Sequence, residues 1–187
     1  FGLNRREWDA VEFVEEIRSW SLASEQGFAW TISSHDEDRP VTRFGGGELG
    51  RARALALWTL FCGLPGVPFV YQGEELGLEN GYVAPEHIQD PVGLAAYEES
   101  RDFSRTHMPW DTGVNNGFST GRPWLVSPER RPEETVEYQR KDPSSFLNRF
   151  RQLLETRHRL GDRKDGPLEW LPSSPGVALY IHGDVLA

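Results

Sequence analysis

The stretch FAWTISSHDEDRPVTRFGGGELG, residues 28–50, decides how this chain is read. Phe28 to Ser34 reads as a strand, because Phe28, Trp30 and Ile32 alternate with the small Ala29, Thr31 and Ser33. That pattern suits a strand covered on both faces of a parallel sheet. The strand runs straight into His35, Asp36, Glu37, Asp38 and Arg39, with Arg43 a little further on. Gly45, Gly46 and Gly47 then let the chain turn before an apolar helix that begins near Glu48. Polar groups at the carboxyl end of a parallel strand, ahead of a helix, stand where α/β barrels place their chemistry. Charge at a strand end is also what any solvated loop carries. The residue types alone leave both readings open.

Working outward, Trp8, Val11, Val14 and Ile17 recur every third residue with charged residues between them. This predicts an amphipathic helix of roughly four turns. On the other side, ELGRARALALWTLFCGLPG is apolar almost all round after its first turn, which predicts a deeply packed helix ending at Gly63-Leu64-Pro65-Gly66. PFVYQ, Pro68 to Gln72, reads as a second strand that again ends in polar residues, Gln72, Gly73, Glu74 and Glu75. Helix, strand, helix, strand, with charge at both strand ends, is the repeating unit of a (β/α) barrel or a doubly wound sheet.

From Leu76 to Asp142 the character changes to an aperiodic mixture of proline, glycine, aromatic and charged residues. A connection of that length is a functional lid, an active-site wall or a disordered segment. Tyr82, Tyr97, Phe103, Trp110, Phe118 and Trp124 argue against disorder, because disordered segments are poor in aromatics. Asp142-Pro143 reads as an N-cap with proline at the first helical position. The helix it opens carries Phe146, Leu147, Phe150, Leu153, Leu154, Arg157 and Leu160, and Gly161 ends it. PLEWL and GVALYIHGDVLA then read as two or three antiparallel strands with a turn at His182-Gly183-Asp184.

With 187 residues and a net charge of −9, the chain has no basic stripe for nucleic acid. No apolar run reaches the roughly 20 residues of a membrane span, and the first residues lack signal-peptide order. Such an acidic balance is usual for a cytoplasmic enzyme. The single cysteine, Cys62, lies in the apolar helix and reads as core filler, which leaves no disulfide framework or thiolate metal site. The start at FGLNRREWDA and the end at GDVLA give the expectation of a piece cut from a longer chain.

Four segments carry a family resemblance. SSHDEDRPVTRFG resembles the fourth signature region of the α-amylase family, glycoside hydrolase family 13, in its α-glucosidase and oligo-1,6-glucosidase form. FVYQGEELGLEN resembles the segment ending the eighth barrel strand, and IQDP fits the loop before the active-site wall. RDFSRTHMPWD, followed by NNGFSTGRPWL, resembles that wall. Ser34 stands where the family usually has Asn, and His107 where it usually has Pro.

The resemblance implies an α/β fold: the C-terminal portion of a (β/α)8 TIM barrel over residues 1–160, with a long active-site loop at 76–142. Residues 161–187 would begin an antiparallel β domain. It implies hydrolysis of α-glucosidic bonds in short α-glucosides or malto- and isomalto-oligosaccharides, with retention, without cofactor and without metal in the chemistry. A transglycosylase of the sucrose isomerase, trehalose synthase or amylosucrase type would use the same machinery. A non-catalytic carbohydrate-binding or interaction protein on the same barrel is the alternative of another class.

Asp36 resembles the family's third carboxylate, the transition-state stabiliser, and His35 would donate to the same sugar hydroxyls. Arg105 resembles the arginine that reaches into that subsite. Arg39 and Arg43 match by spacing as substrate-binding residues, or as loop anchors. The nucleophile and the acid/base would both lie before Phe1, in a missing N-terminal part of the barrel that would be this chain's partner. Glu74 and Glu75 stay out of the catalytic set, because sequence neighbours rarely face one sugar from both sides. Trp110, Phe118 and Trp124 stack on sugar faces or pack the loop.

Overall fold

A computed structural model describes residues 3, 5–24, 27–126, 128–161 and 166–187. Residues 162–165, the first of the expected second part, lie outside the described residues. The chain opens with α1, Ala10–Leu22, capped by Asp9, whose carboxylate accepts from Val11 N at 2.9 Å and Glu12 N at 3.0 Å. The buried face is Phe13, Ile17 and Ser21, four residues apart and so close to one face, and Val11 is exposed. The expected stripe shares only Ile17 with it. Trp8 instead packs beside the helix, edge-on to Phe44 at 5.3 Å.

Strand β1, Phe28–Trp30, is followed by α2, Pro40–Arg43, then α3, Gly47–Gly63, and strand β2, Gly66–Pro68. The two strands pair in parallel, with Phe28 opposite Gly66 and Trp30 opposite Pro68. Both are shorter than their alternation predicts, and β2 begins two residues earlier than PFVYQ. Gly66 explains the register: at φ +101°, a Cβ there would sit 2.2 Å from Phe28 O, so only glycine lets the backbones meet. The last rung is Phe69 N to Trp30 O at 2.7 Å. Beyond it Thr31 turns its hydroxyl to Ser33 O at 2.8 Å and the ladder stops. Val67 on β2, and Phe69 and Val70 just after it, remain exposed.

Helix α3 is apolar all round but buried on one side only: Ala54, Leu57, Trp58, Phe61 and Cys62 face the core, whereas Leu49 is exposed. Trp30 stacks on Phe61 at 5.3 Å, and Trp58 meets Phe150 edge-on at 5.1 Å. Residues 76–126 and 128–142 fold into the expected wall segment without long regular elements. It carries short 3-10 turns, the five-residue helix α4, Pro91–Ala95, and the helix α5, Val136–Lys141. Helix α6, Phe146–Leu160, is capped by Ser145, which accepts from Asn148 N at 3.2 Å. The expected cap, Asp142, turns its carboxylate to Ser144 N at 2.8 Å instead. Three short antiparallel strands close the chain in sequence order: β3, Leu168–Trp170, β4, Tyr180–His182, and β5, Val185–Leu186. They dock on α3, with Tyr180 OH donating to Leu60 O at 2.8 Å and His182 Nδ1 to Gly63 O at 2.8 Å.

The end of α3 has carbonyls with no helical partner, and Arg157 of α6 serves them. Its Nη1 donates to Phe61 O at 3.1 Å, Cys62 O at 3.0 Å and Leu64 O at 3.0 Å, and its Nη2 to Gly66 O. One guanidinium thus joins the helix end to the first residue of β2. Arg157→Ala should lower stability by about 2–4 kcal/mol, since charged hydrogen bonds are lost and the carbonyls are left short of donors. The urea midpoint should fall with its slope unchanged, and Arg157→Lys should restore only part of the loss. A change of the midpoint equivalent to less than about 0.5 kcal/mol would mean that water serves these carbonyls equally well.

Candidate active site

After β1 the chain buries Ile32 and Ser33 and then turns outward. Ser34 makes the turn: its hydroxyl accepts from Asp36 N at 3.2 Å, the local bond that serine offers readily. His35 and Asp36 are thereby carried to the surface, with His35 Nε2 3.4 Å from Asp36 Oδ2.

Two arginines from the long connection meet Asp36 there. Arg105 Nη2 lies 2.8 Å from Asp36 Oδ1, and Arg105 Nε donates to His35 O at 2.7 Å. Arg101 Nη1 reaches the same Oδ1 at 3.2 Å. Each arginine has a buried carboxylate behind it. Asp90, at the end of the IQDP segment, takes the Arg101 fork, with Nε at 3.0 Å from Oδ2. Asp102 accepts from Gln89 N at 2.7 Å and Asp90 N at 2.9 Å and lies 3.9 Å from Arg105. Desolvation alone would raise the Asp36 carboxyl. The Arg105 hydrogen bond, with His35 and Arg101 close by, outweighs that and holds it below the usual carboxylate range. Asp90 is held far lower still by its bonds to Arg101. Asp36 is therefore an ionised, accessible carboxylate with both arginines on Oδ1 and His35 beside Oδ2.

Arg39 and Arg43 are corrected from substrate-binding residues to anchors. Arg39 is 1 % exposed. It donates to Gln72 O and to Thr106 O at 3.3 Å and lies over the Tyr71 ring at 5.5 Å. Burial lowers its pKa to about 10. Arg43 donates to Ile32 O, Arg6 O, Leu3 O and Asp38 O, all of them backbone carbonyls. Spacing could not separate an arginine facing a sugar from one facing carbonyls. Arg101 was missed by the sequence reading. Its signal was present: in RDFSR two arginines stand four apart, the spacing at which both can reach one carboxylate.

Glu74 is buried against the strand end, where Ser33 Oγ donates to its Oε1. Glu75 folds back on Gly73 N at 2.8 Å. Neither has an interaction with Asp36. Trp110, Phe118 and Trp124 are exposed along the wall. Among the described residues, no group of three His, Cys, Asp or Glu side chains converges as a metal site requires. None of their helices is long and apolar enough to cross a membrane.

The family model "Alpha amylase, catalytic domain" matches residues 3–163. The oligo-1,6-glucosidase of Heyndrickxia coagulans is 33 % identical over 92 % of this chain and 36 % of its own length. A probable α-glucosidase of Rhizobium meliloti is 34 % identical over 91 % of the chain and 32 % of its length. Among solved structures, the α-glucosyl transfer enzyme XgtA superposes with a TM-score of 0.82 at 32 % identity, over 96 % of this chain and 34 % of that one. The chain thus spans about a third of the length of the curated relatives it matches.

Burial lifts the Glu74 carboxyl from 4.5 to about 7, against the pull of the Ser33 hydroxyl. Between those values the folded chain keeps a proton that the unfolded chain has released. The stabilisation from Glu74 is therefore complete below pH 4.5 and is lost as pH rises to about 7. Glu74→Gln cannot titrate. Its stability relative to the parent should rise between pH 4.5 and pH 8 by on the order of 3 kcal/mol, since a tenfold change in proton affinity is worth about 1.4 kcal/mol. Urea unfolding of both proteins at several pH values measures this. A constant difference across the window would mean that Glu74 titrates as an exposed carboxylate does.

Proposed function

The chain belongs to the α-amylase catalytic-domain family, and from that premise we propose that the protein carrying it hydrolyses α-glucosidic bonds in short α-glucosides, with retention. One observation carries the reading. An ionised carboxylate, Asp36, stands at the exit of a parallel strand with Arg101 and Arg105 on one oxygen and its other oxygen beside His35. A carboxylate so placed can accept two vicinal sugar hydroxyls. Ionised hydrogen bonds are about twice as strong as neutral ones. If they tighten as the sugar ring flattens towards an oxocarbenium ion, they accelerate the reaction rather than merely bind substrate.

In this reading His35 donates to the same hydroxyls and Arg105 orients the carboxylate. Arg101 joins them in place of Arg39 and Arg43. The nucleophile and the proton donor come from the remainder of the protein, since the resemblance assigns neither role to a carboxylate of this chain. Transfer of the glucosyl group to a second alcohol is the companion reading, favoured by the likeness to a glucosyl transfer enzyme. Product analysis on maltose, isomaltose and sucrose separates the two, because a transferase yields rearranged glucosides with little free glucose.

Asp36→Asn in the full-length protein should lower kcat by about a thousandfold, roughly 4 kcal/mol of barrier, with an unchanged melting temperature. Near-normal turnover in that variant would remove Asp36 from the chemistry. No turnover by the parent on any α-glucoside, with sugar binding retained, would favour a binding protein on this scaffold.

A further inference from the structure

The turn that presents His35 and Asp36 is anchored at both ends on the stretch after β2. At its far end Arg39 donates its backbone N–H to Asn80 Oδ1 at 2.9 Å and its guanidinium to Gln72 O. At its near end Ser33 Oγ donates to Glu74 Oε1. Ser33 and Glu74 are both buried, at 2 % and 4 % exposure. The Ser33 carbonyl is held as well, accepting from Thr31 Oγ1 at 2.8 Å. Asp36 lies midway between Ser33 and Arg39 in sequence, so a shift at either anchor is passed directly to the turn that carries its carboxylate.

A neutral acceptor would hold Ser33 without the desolvation that an ion suffers at this depth. Glu74 Oε2 is buried with no hydrogen-bond partner among the described residues. Burial raises the Glu74 pKa to about 7, against the Ser33 hydroxyl, the Tyr71 backbone and Arg39. The charged groups that face it are Arg39 and Arg43, which favour its ionised form, and Glu75, which opposes it. Carboxylates so perturbed gather at functional sites. Ionised, Glu74 only accepts, and the Ser33 proton is fixed upon it; protonated, Glu74 becomes a donor too and the serine hydroxyl is free to rotate. A charged acceptor also forms the stronger hydrogen bond. The ionised form therefore holds the near anchor more firmly, although at this burial it is the less favourable form for stability.

We infer that Glu74 is a positioning residue for Asp36: through the Ser33 hydroxyl, its ionised form fixes the turn in the geometry that serves the transition state. Glu74 itself touches no substrate, and the inference rests on the glycosidase reading. A carboxylate whose hydrogen bonds tighten only as the sugar ring flattens loses rate when it is set loosely. Ground-state binding, spread over the arginines and the wall, changes less.

The test measures kcat and KM of the full-length protein on maltose between pH 5 and pH 8, for the parent, Glu74→Gln, Ser33→Ala and the double variant. At pH 8 each single variant should lose about tenfold in kcat with KM within about twofold. The double variant should also lose only about tenfold, because both changes cut one link. The ratio of parent to Glu74→Gln kcat cancels every group common to both. It should fall from about ten at pH 8 to about one at pH 5 as Glu74 gains its proton. Glu74→Gln should be slower at pH 8 yet unfold at no lower urea concentration, an opposition that a merely structural glutamate would not give. A ratio independent of pH overturns the inference. So does unchanged kcat in both single variants, or an additive loss of about a hundredfold in the double one. If Ser33→Ala does not fold, the Glu74→Gln ratio decides alone. If the parent turns over no α-glucoside, the glycosidase reading fails by itself. Hydrogen exchange at pH 8 in the peptide spanning 33–38 then decides the anchor: faster exchange in Glu74→Gln supports it, and exchange equal to the parent's overturns it.

Discussion

One buried guanidinium holds the site together. Arg39 has its backbone N–H on Asn80 Oδ1 at 2.9 Å, while its fork takes Gln72 O and Thr106 O. Arg39, on the stretch after β1, thereby ties itself to the stretch after β2, through Gln72 and Asn80, and to the wall that carries Arg101 and Arg105, through Thr106. Removing a cation of that size from water costs several kcal/mol, and carbonyl dipoles with a flanking Tyr71 ring offset it only where their geometry is held. The requirement acts in both directions. The carbonyls must stay where the guanidinium needs them, and the wall must therefore stay against the Asp36 loop. Apolar packing of equal energy would tolerate sliding, whereas a planar fork fixes direction as well as distance.

The ion pairs above it repeat that logic at the surface. An exposed arginine–carboxylate contact contributes little when both side chains are free to wander. Here Arg101 is pinned from behind by buried Asp90, and Arg105 is flanked by buried Asp102. The aspartates are themselves tied to backbone, through Gln89 N, Asp90 N and Arg101 N. The entropy of ordering is lost when the rigid 89–102 turn folds, and the arginines arrive at Asp36 already oriented. The long connection thus forms a wall built from short helices and 3-10 turns rather than from strands.

Much of this was legible in the sequence, and the failures have physical causes. The parallel α/β pattern, the place of the His35–Asp36 pair and the ordered loop followed from alternation, strand-end charge and aromatic content. Those are local properties that folding preserves. Strand lengths did not follow, because the ladder ends where Thr31 satisfies Ser33 O and where Gly66 admits Phe28, and neither contact shows in residue alternation. The buried face of α1 follows the four-residue spacing of Phe13, Ile17 and Ser21, from which the three-residue spacing of Trp8, Val11, Val14 and Ile17 drifts away. The roles of Arg39, Arg43 and Arg101 were assigned by distance along the chain, whereas burial and carbonyl direction decide them. A guanidinium serving carbonyls and one serving a carboxylate look alike until the fold is known.

The two positions that depart from the family pattern show how such a site tolerates change. Ser34 replaces a residue with a longer amide side chain, yet a hydroxyl two residues before Asp36 still reaches Asp36 N, so the turn that presents the carboxylate survives. His107 replaces a residue that lacks a backbone donor and fixes φ. The imidazole instead gains a ring partner in Phe118 and a polar one in Asn116, and Asn116 accepts from Arg130 N through Oδ1 at 2.6 Å. The first change keeps the turn at Asp36 because it acts through backbone. The second sits in the lining of a cavity beside Arg105 and sets its aromatic surface with Phe118. The two departures thus differ in what they touch: Ser34 serves the backbone of the Asp36 turn, and His107 presents a ring to the cavity beside Arg105.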